Sequence, residues 1–397
     1  MKVERKKRII LLSSILFASI LLTGCWDKEE LNTIAISSVI GIERINDIVS
    51  LTMEVYNPAA STDKSTKQEE QTKYIQSTGN SFFDAIRNIT MIFDKKIFFA
   101  HTKELIISEE TSRDGFIDLL DLWLRQHQPW PNTYLLVSKD VSPADVIGIK
   151  SGIEDATANY IEDLIQNNKN TGKTVQKNVT DFLRDYYDKG SSTVGVISKK
   201  EKGRTPGDSK SEFELIAEGA AVFSDKKLVG FLNGIETRAM NFAAGKIKNT
   251  VIVSPSIDGN GTNSIEVFKA KRKIEAFIEG NQIIFNLKVN IMGILGEETG
   301  KLNTDKSPQI MKAIENQNSG VIKKEIEDVI KKAQEEYEVD IFGFGHALHS
   351  KYPEQWKKMK TNWNDIFSKS HIRVSVNTDI KNIGLLSVPL VEKEVKQ

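Results

Sequence analysis

The chain has 397 residues, of which 39% are hydrophobic and 8% aromatic, and its 54 basic residues equal its 54 acidic residues in number. A chain of this length buries enough surface for two or three domains, and a charged fraction of 27% argues against long disorder, collagen-like repeats and a multi-span membrane protein. Balanced charge also removes the electrostatic basis for binding nucleic acid, because phosphate contacts need an excess of basic residues on one face.

The first residues have the composition of a secretory signal. Five basic side chains and one acid precede an uncharged apolar run over residues 9–22. The run has 14 residues, whereas a helix needs about 20 to span the hydrocarbon core of a bilayer. We therefore expect residues 1–24 to be a signal peptide that is removed. The mature chain then keeps 49 basic and 53 acidic residues, a net charge of −4.

The apolar run leads directly into a lipobox, the processing site of bacterial lipoproteins. It reads Leu22, Thr23, Gly24, Cys25, and Cys25 is the only cysteine in the sequence. Small residues before the cut let an extended backbone enter a peptidase cleft, and the thiol is the nucleophile that accepts a diacylglyceryl group. We expect signal cleavage at Gly24 and Cys25 and lipid attachment at Cys25, which anchors the protein to one leaflet. The alternative is a buried or incidental free cysteine.

The elements that follow predict an α+β fold. Residues 33–43 and 48–56 are predicted to form a hairpin with Asn46 and Asp47 in its turn, and the polar tract 61–73 predicts an exposed loop or the tip of the next strand pair. Ser81 is placed as the N-cap of a helix over 82–93, where apolar residues recur at helical spacing. Further elements alternate in a way that permits a mixed sheet: a strand-like segment 97–108, a helix 116–123, a strand 133–137, helices 157–166 and 175–187, and a strand 193–198.

The composition changes at residues 199–211, which carry no large apolar side chain. We interpret this run as a linker or long surface loop between an N-terminal α+β region (25–198) and a C-terminal α+β domain (212–397).

The pattern restarts beyond this run with a strand at 213–223 and a helix at 228–242. Arms 264–278 and 283–292 form the clearest hairpin, and residues 321–337 predict a long amphipathic helix. The apolar stripe of that helix packs on its own sheet or, alternatively, docks onto a partner. The expected class is a multi-domain α+β protein with mixed and antiparallel sheets and packed helices.

Three segments resemble the Ger(x)C family, the lipoprotein C subunits of spore germinant receptors. They are GCWDKEEL at residues 24–31, EGAAVFSDKKLVG at 218–230 and DIFGFG at 340–345. A lipobox alone is common to many lipoproteins. The Trp-Asp pair after it and the two internal segments make the match specific, and the resemblance spans nearly the whole chain.

The resemblance implies a non-enzymatic subunit of a membrane receptor complex, held by lipid on the outer leaflet of the spore's inner membrane. Its partners would be the integral membrane A and B subunits of the germinant receptor. It would be required for germination by assembling with those subunits or coupling them. The family supplies no catalytic residue, so Cys25 alone is carried over.

Catalytic and metal-binding motifs are present only as fragments. Residues 172–174 (GKT) end like a P-loop, but Asn167 stands where the first glycine is required. His346 and His349 have a metal-like spacing without a third Cys or His nearby. The Ser-x-x-Lys spacing at 61–64 and 224–227 lacks the Lys-Thr-Gly element of serine acylases. We therefore predict no catalytic residue, no metal site and no cofactor, and leave ligand-binding residues open.

Three classes of function remain. The first is the receptor C subunit. The second is a solute-binding lipoprotein of a transporter, which would bury its ligand between two lobes built on βαβ crossovers; the long hairpin at 264–292 argues against it. The third is a lipid-anchored envelope enzyme, which would need a convergent nucleophile and base that the sequence does not show.

Overall fold

A computed structural model describes residues 4–7, 10, 30–58, 72–125, 132–151, 156–203, 212–280, 282–300 and 308–381. They form two β-sheets with packed helices, which confirms the expected α+β class. Among these residues, no helix is both long and apolar enough to cross a membrane.

Strands and helices are interspersed along the described chain. The strands are β1 (Ile34–Ile45), β2 (Ile48–Tyr56), β3 (Thr72–Gly79), β4 (Lys96–Phe98), β5 (Glu104–Ser108), β6 (Tyr134–Ser138), β7 (Ser191–Glu201), β8 (Phe213–Ser224), β9 (Lys227–Leu232), β10 (Thr250–Pro255), β11 (Thr262–Glu279), β12 (Gln282–Glu298) and β13 (His371–Ile380). The helices are α1 (Phe82–Asn88), α2 (Glu109–Asp114), α3 (Ile117–Arg125), α4 (Pro143–Gly148), α5 (Thr157–Gln166), α6 (Val179–Lys189), α7 (Gly234–Ala243), α8 (Pro308–Lys332), α9 (Phe344–Lys351), α10 (Pro353–Met359) and α11 (Trp363–Ser368).

The larger sheet is mixed. Its strands lie in the order β3-β2-β1-β5-β6-β7-β8-β9, with β4 beside β1. The central strands β1, β5, β6 and β7 are parallel, and the outer strands pair antiparallel. The predicted β1–β2 hairpin is confirmed, and Asn46 and Asp47 take φ values of 49° and 65°. Both residues are therefore in the left-handed region that a two-residue type I′ turn requires.

Helix starts follow side-chain caps. The predicted cap at Ser81 is confirmed, because its hydroxyl accepts a hydrogen bond from the backbone N–H of Asp84 at 3.1 Å. The helix predicted over 175–187 begins later, at Val179, because Asn178 is the capping residue. The backbone before the cap is extended, and the Lys177 carbonyl accepts a hydrogen bond from the N–H of Leu135. An Asn side chain forms hydrogen bonds with nearby backbone groups in competition with those of a helix, so Asn is favoured at the N-cap and not inside the helix.

Two predicted segments are divided differently in the structure, and the helix predicted over 82–93 ends earlier, at Asn88. The strand-like segment 97–108 is two strands, because β4 ends at Phe98 and β5 begins at Glu104. The helix predicted at 228–242 begins as a strand: burial alternates along β9, which pairs with β8. The helix α7 starts only after Asn233, whose side chain and that of Glu236 form a capping box.

Strands on both sides of residues 199–211 belong to the larger sheet. β7 continues to Glu201, which pairs with Phe213 at the start of β8, so the first residues of the expected loop are in a strand. Residues 204–211 lie outside the described part of the chain, and the domain limits stay a prediction.

The smaller sheet has the order β10-β11-β12-β13. Its centre is the predicted hairpin, which is confirmed with longer arms, β11 and β12. β13, the last strand in the described chain, pairs parallel with β12. The strands β10 and β13 and the helices α9, α10 and α11 were not predicted.

The long helix α8 begins at Pro308, well before the predicted start. Its apolar stripe is buried in one cluster with the inner face of the smaller sheet; the buried residues of the stripe there are Ile322, Ile326, Val329 and Ile330. This confirms that the stripe packs on its own sheet. A π-helical turn follows, and Glu338, with φ of 52°, ends it.

The packing of α8 gives a stability prediction. Ile326→Ala is expected to lower the free energy of unfolding by about 2–5 kcal/mol, because a fully buried side chain is replaced by a cavity. Urea unfolding measures the change.

The matched control is Lys323→Ala on the outer face of the same helix, where the side chain is 48% exposed. It should change stability by no more than about 0.5 kcal/mol. Equal effects of the two substitutions would contradict the packing described for α8.

Candidate functional site

The segments 218–230 and 340–345 lie close together at the junction of the two sheets. The carbonyl oxygen of Phe231, directly after the first segment, accepts hydrogen bonds from the Tyr337 hydroxyl at 2.7 Å and the Lys332 ammonium at 3.3 Å. On the other side, the Ser191 hydroxyl of β7 donates to the Asp340 carbonyl at 2.9 Å. The end of α8 and the loop after it are therefore tied to two strands of the larger sheet.

Gly230 permits this close approach. A Cβ placed there would lie 2.4 Å from the Tyr337 ring, closer than side-chain atoms pack. A larger residue would push the end of α8 away from β9.

The carboxylate of Asp340 organises the second segment. Its Oδ1 accepts hydrogen bonds from the backbone N–H groups of Phe342 at 3.0 Å and Gly343 at 2.8 Å. Its Oδ2 accepts from the N–H of Gly345 at 2.7 Å and from the indole N–H of Trp363 at 3.2 Å. The side chain is buried, so these donors replace the water that the charge loses. One carboxylate therefore fixes both the loop and the start of α9.

The phenylalanines of this segment enter an aromatic cluster. The ring of Phe344 lies 5.0 Å from that of Phe285 on β12 and 5.9 Å from that of Phe367 on α11, measured between centroids. A Cβ at Gly345 would come within 2.8 Å of the neighbouring indoles, so the glycine lets α9 pack against them. The alternation of Phe and Gly thus places large rings where there is room and no side chain where there is none.

A cleft of about 490 Å³ opens beside this loop, between α6, β7 and the smaller sheet. Lys177 forms a buried ion pair with Asp185 and donates to the Ser192 hydroxyl at 3.0 Å. Arg272 donates to the carbonyl oxygens of Ala243 at 3.0 Å and Phe342 at 2.8 Å. Burial lowers the pKa of Arg272, and the charge of Asp340 opposes that shift. The cleft is polar; its Lys177 is bound by side chains and its Arg272 by backbone carbonyl oxygens.

A second cavity, of about 610 Å³, lies in the N-terminal half beside α5. Lys103 on its wall donates to the side-chain oxygens of Asn159 at 2.9 Å and Glu162 at 2.5 Å.

Glu54 lines the same cavity and caps α5. Its carboxylate accepts from the backbone N–H groups of Thr157 at 2.9 Å and Ala158 at 3.2 Å. It also accepts from the hydroxyls of Ser38 at 2.8 Å and Tyr74 at 3.2 Å. Burial raises the pKa of Tyr74 to about 12, so this phenol stays a donor. The negative charge is stabilised at the positive end of a helix.

Glu104 presents the opposite case. Its side chain is fully buried on the central strand β5, and within the described chain neither carboxylate oxygen has a hydrogen-bond donor. Burial raises the pKa of Glu104 well above its ordinary value; the negative charge of Glu162 adds to the shift and Lys103 opposes it. Burial therefore favours the protonated, neutral form of this carboxyl group in the folded protein.

The predicted lipid-attachment residue, Cys25, and the cleavage position Gly24 lie outside the described residues. His346 lines the cleft, and the ring of His349 stacks on Trp356 at 5.7 Å. No group of three or more metal-ligating side chains is found in the part of the chain that the structure describes.

Sequence reasoning missed the roles of Asp340, Glu54 and Glu104. The motif at 340–345 was recognised from its amino-acid sequence, but that sequence gives no sign that four hydrogen-bond donors surround the carboxylate of Asp340. For the glutamates the available signal was an acidic residue inside an apolar strand, as in MEV at 53–55 and ELII at 104–107. Such a residue is rarely buried without a partner.

Comparison with known proteins shows the family. The description "Spore germination protein N-terminal domain" matches residues 27–199, and "Spore germination B3/ GerAC like, C-terminal" matches residues 218–384. The two internal motif segments fall in the second match. The chain belongs to the Ger(x)C family of spore germination proteins, which confirms the resemblance read from its motifs.

Relatives cover almost the whole chain. Spore germination protein B3 of Bacillus subtilis (strain 168) is 24% identical over 94% of this chain and 97% of its own length. Spore germination protein KC of the same organism is 25% identical over 97% of this chain and 98% of its own. A structure titled "Crystal Structure of the GerBC protein" has a TM-score of 0.59 at 21% identity, covering 90% of this chain and 100% of the other. That structure shares the fold.

Asp340→Asn tests the junction. The amide nitrogen cannot accept a hydrogen bond, so at least one buried N–H loses its acceptor, and stability should fall by more than about 2 kcal/mol. Asp328→Asn on α8, where the side chain is 62% exposed, is the control and should change stability by less than about 0.5 kcal/mol. Both are measured by urea unfolding; a junction that does not depend on the carboxylate would give equal values.

Glu104 predicts a dependence of stability on pH. The folded protein keeps a proton on Glu104 that the unfolded chain releases above its ordinary pKa of 4.5, so stability falls as pH rises from there towards the raised pKa. Glu104→Gln is neutral in both states and escapes this loss. Its stability relative to the parent should therefore increase as the pH is raised above 4.5 in urea unfolding.

Glu54→Gln is the matched control. It makes the same chemical change at a buried glutamate whose carboxylate accepts hydrogen bonds from four donors. It should destabilise by about 1–3 kcal/mol. A pH-independent difference between Glu104→Gln and the parent would show that Glu104 is ionised in the fold.

Proposed function

We propose that the protein is the lipid-anchored C subunit of a nutrient germinant receptor complex and is needed for spore germination. It attaches through a diacylglyceryl group on Cys25 to the outer leaflet of the spore's inner membrane. There it assembles with or couples the integral membrane A and B subunits, and it has no catalysis of its own. The observation that carries the proposal is similarity to spore germination proteins B3 and KC over 94% and 97% of this chain.

The lipobox supports the anchor. Basic residues, apolar run, small residues and Cys25 occur in the order that lipoprotein processing needs. The chain from Cys25 to the start of β1 at Ile34 reaches at most about 30 Å when extended. An acyl group at that position would therefore keep the folded body near the lipid headgroups.

The division into domains belongs to the same proposal: a signal peptide (1–24), an N-terminal region (25–198), a linker or loop (199–211) and a C-terminal domain (212–397). The first family match ends at residue 199 and the second begins at residue 218, which supports this division. β8 and β9 complete the larger sheet from the C-terminal side. The two regions therefore share a sheet and are expected to move together.

The buried charged groups of the fold support a role in assembly. The carboxylates of Asp340 and Glu54 are each occupied by four donors, and Lys177 is paired within the cleft. A general base needs an accessible lone pair near its substrate. These charges hold elements of the fold in place.

Affinity capture of the tagged chain from detergent-solubilised spore membranes tests the proposal. Recovery of multi-span membrane proteins related to receptor A and B subunits is expected. Recovery of an ATP-driven permease in their place would instead favour a solute-binding lipoprotein and overturn the receptor assignment.

Cys25→Ala tests the anchor. The variant has no sulfur atom to accept the diacylglyceryl group, so incorporation of labelled fatty acid should be abolished and the amount of protein retained on spore membranes should fall. Thr23→Ser keeps a small residue in the lipobox and is the matched control, with normal labelling and retention. If Cys25→Ala fractionates with membranes as firmly as the control, contacts other than the lipid hold the protein there.

A further inference from the structure

The smaller sheet has one covered face and one open face. Along β12 the odd-numbered residues from Ile283 to Leu295 are buried, most of them against α8, α9 and α11. The even-numbered residues from Asn286 to Ile294 are exposed or half-buried, and with their register neighbours on β10, β11 and β13 they form the outer face.

One end of the outer face is strongly basic. Five exposed cations lie there across three strands: Lys269, Lys271, Lys273, Lys288 and Arg373. The acidic side chains near them on the outer face are Glu275, which pairs with Lys273 at 2.7 Å, Asp379, which pairs with Lys381, and Glu266, which accepts a hydrogen bond from the Asn249 side chain at 3.3 Å. Within the described residues the other four cations have no carboxylate at ion-pair distance. This end therefore carries an excess of positive charge, although the mature chain as a whole is mildly acidic.

The strand register adds repulsion. Lys273 lies directly opposite Lys288, and Lys271 is the next residue of β11 on the same face. Like charges directly opposite each other in a sheet are destabilising. Such an arrangement is relieved when an external anion lies across the face.

The other end of the outer face, here called the apolar end, carries exposed aliphatic and aromatic side chains together with two carboxylates, those of Glu266 and Glu297. Val251 and Val253 on the edge strand β10 are 47% and 54% exposed, and Phe268 at the β11 bulge is 45% exposed. Val251 lies opposite Glu266, which lies opposite Ile294 of β12, so this end is continuous with the basic end. Cations next to exposed aliphatic and aromatic side chains are the composition of a surface that rests in the lipid headgroup region.

We propose that the outer face of the smaller sheet docks onto an anionic phospholipid surface, with its cations on the headgroup phosphates and its apolar end at the acyl boundary. The cations are spread over three strands about 4.8 Å apart without forming a pocket, which suits a plane of diffuse negative charge. Each cation near such a surface shifts the partition towards the bound state by about fivefold. The inference rests on the proposed lipid at Cys25 only in that the lipid brings the face close to a bilayer.

The test is lysine footprinting on the lipidated full chain. The protein is reconstituted into vesicles of phosphatidylcholine alone or with phosphatidylglycerol, labelled with an amine-reactive reagent and read by mass spectrometry. On phosphatidylglycerol vesicles, labelling of Lys271, Lys273 and Lys288 should slow by about fivefold or more. Salt near 1 M, where the Debye length is about 3 Å, should restore labelling. Lys323 and Lys324, on the exposed side of α8, should label equally on both vesicles.

Matched variants separate the outer face from net charge. Lys271→Gln with Lys288→Gln should abolish the protection of Lys273, whereas Lys323→Gln with Lys324→Gln removes the same charge and should preserve it. All four positions are exposed, so both double variants are expected to fold, which thermal unfolding checks.

Each remaining outcome decides between sources. Equal labelling on the two vesicles, or protection that survives the Lys271/Lys288 change, overturns the proposal. Protection on native spore membranes without protection on phosphatidylglycerol vesicles shows an acidic protein partner and also overturns it. Flotation with phosphatidylcholine vesicles reports on the anchor separately. Failure to float contradicts lipidation at Cys25, whereas flotation combined with no lysine protection on phosphatidylglycerol vesicles contradicts the docking face alone.

Discussion

Four hydrogen-bond donors converge on the carboxylate of Asp340, and the packing of the smaller sheet against the larger one depends on where they hold it. The carboxylate sets the turn that ends the α8 segment, starts α9 and directs Phe342 and Phe344 into the aromatic cluster. The backbone of the same residue is bound by Ser191 of the larger sheet. A charge removed from water needs every lone pair satisfied, so this loop has little freedom to change. The family motif at 340–345 is the sequence that meets this condition.

The N-terminal half shows both ways in which a fold can bury a carboxylate. The carboxylate of Glu54 accepts hydrogen bonds from a helix N-terminus and two hydroxyls, whereas Glu104, with no donor among the described residues, is expected to take up a proton. Glu54 lines the polar cavity beside α5, as do Lys103 and Glu162, whose charges act on the pKa of Glu104. Hydrogen bonds offset the cost of burying Glu54, whereas burial of Glu104 makes the stability of the protein depend on pH.

A lipid anchor at Cys25 together with the basic outer face of the smaller sheet would give the proposed subunit a defined orientation. An anchor alone fixes distance from a membrane but leaves rotation free. A charged sheet face adds a preferred direction that weakens with salt. The junction and its cleft would then be held at a set height above the headgroups, where integral partners could reach them. Rigid coupling through the shared larger sheet would carry a displacement at one region to the other.

The amino-acid sequence by itself determined the class of fold, the family, the proposed anchor and most strands and helices, because these depend on local patterns. Alternation defined β1, β2, β11 and β12, helical spacing defined α5 and the buried stripe of α8, and Ser81 marked a helix start. Residues 228–232 were misread because their pairing with β8 outweighs helical propensity. Only the tertiary structure decided that Asp340 gathers four donors, that Glu104 has none in the described chain, and that five cations share the outer face. Each of these features depends on contacts between distant parts of the chain, and a local sequence pattern does not indicate which distant groups come into contact.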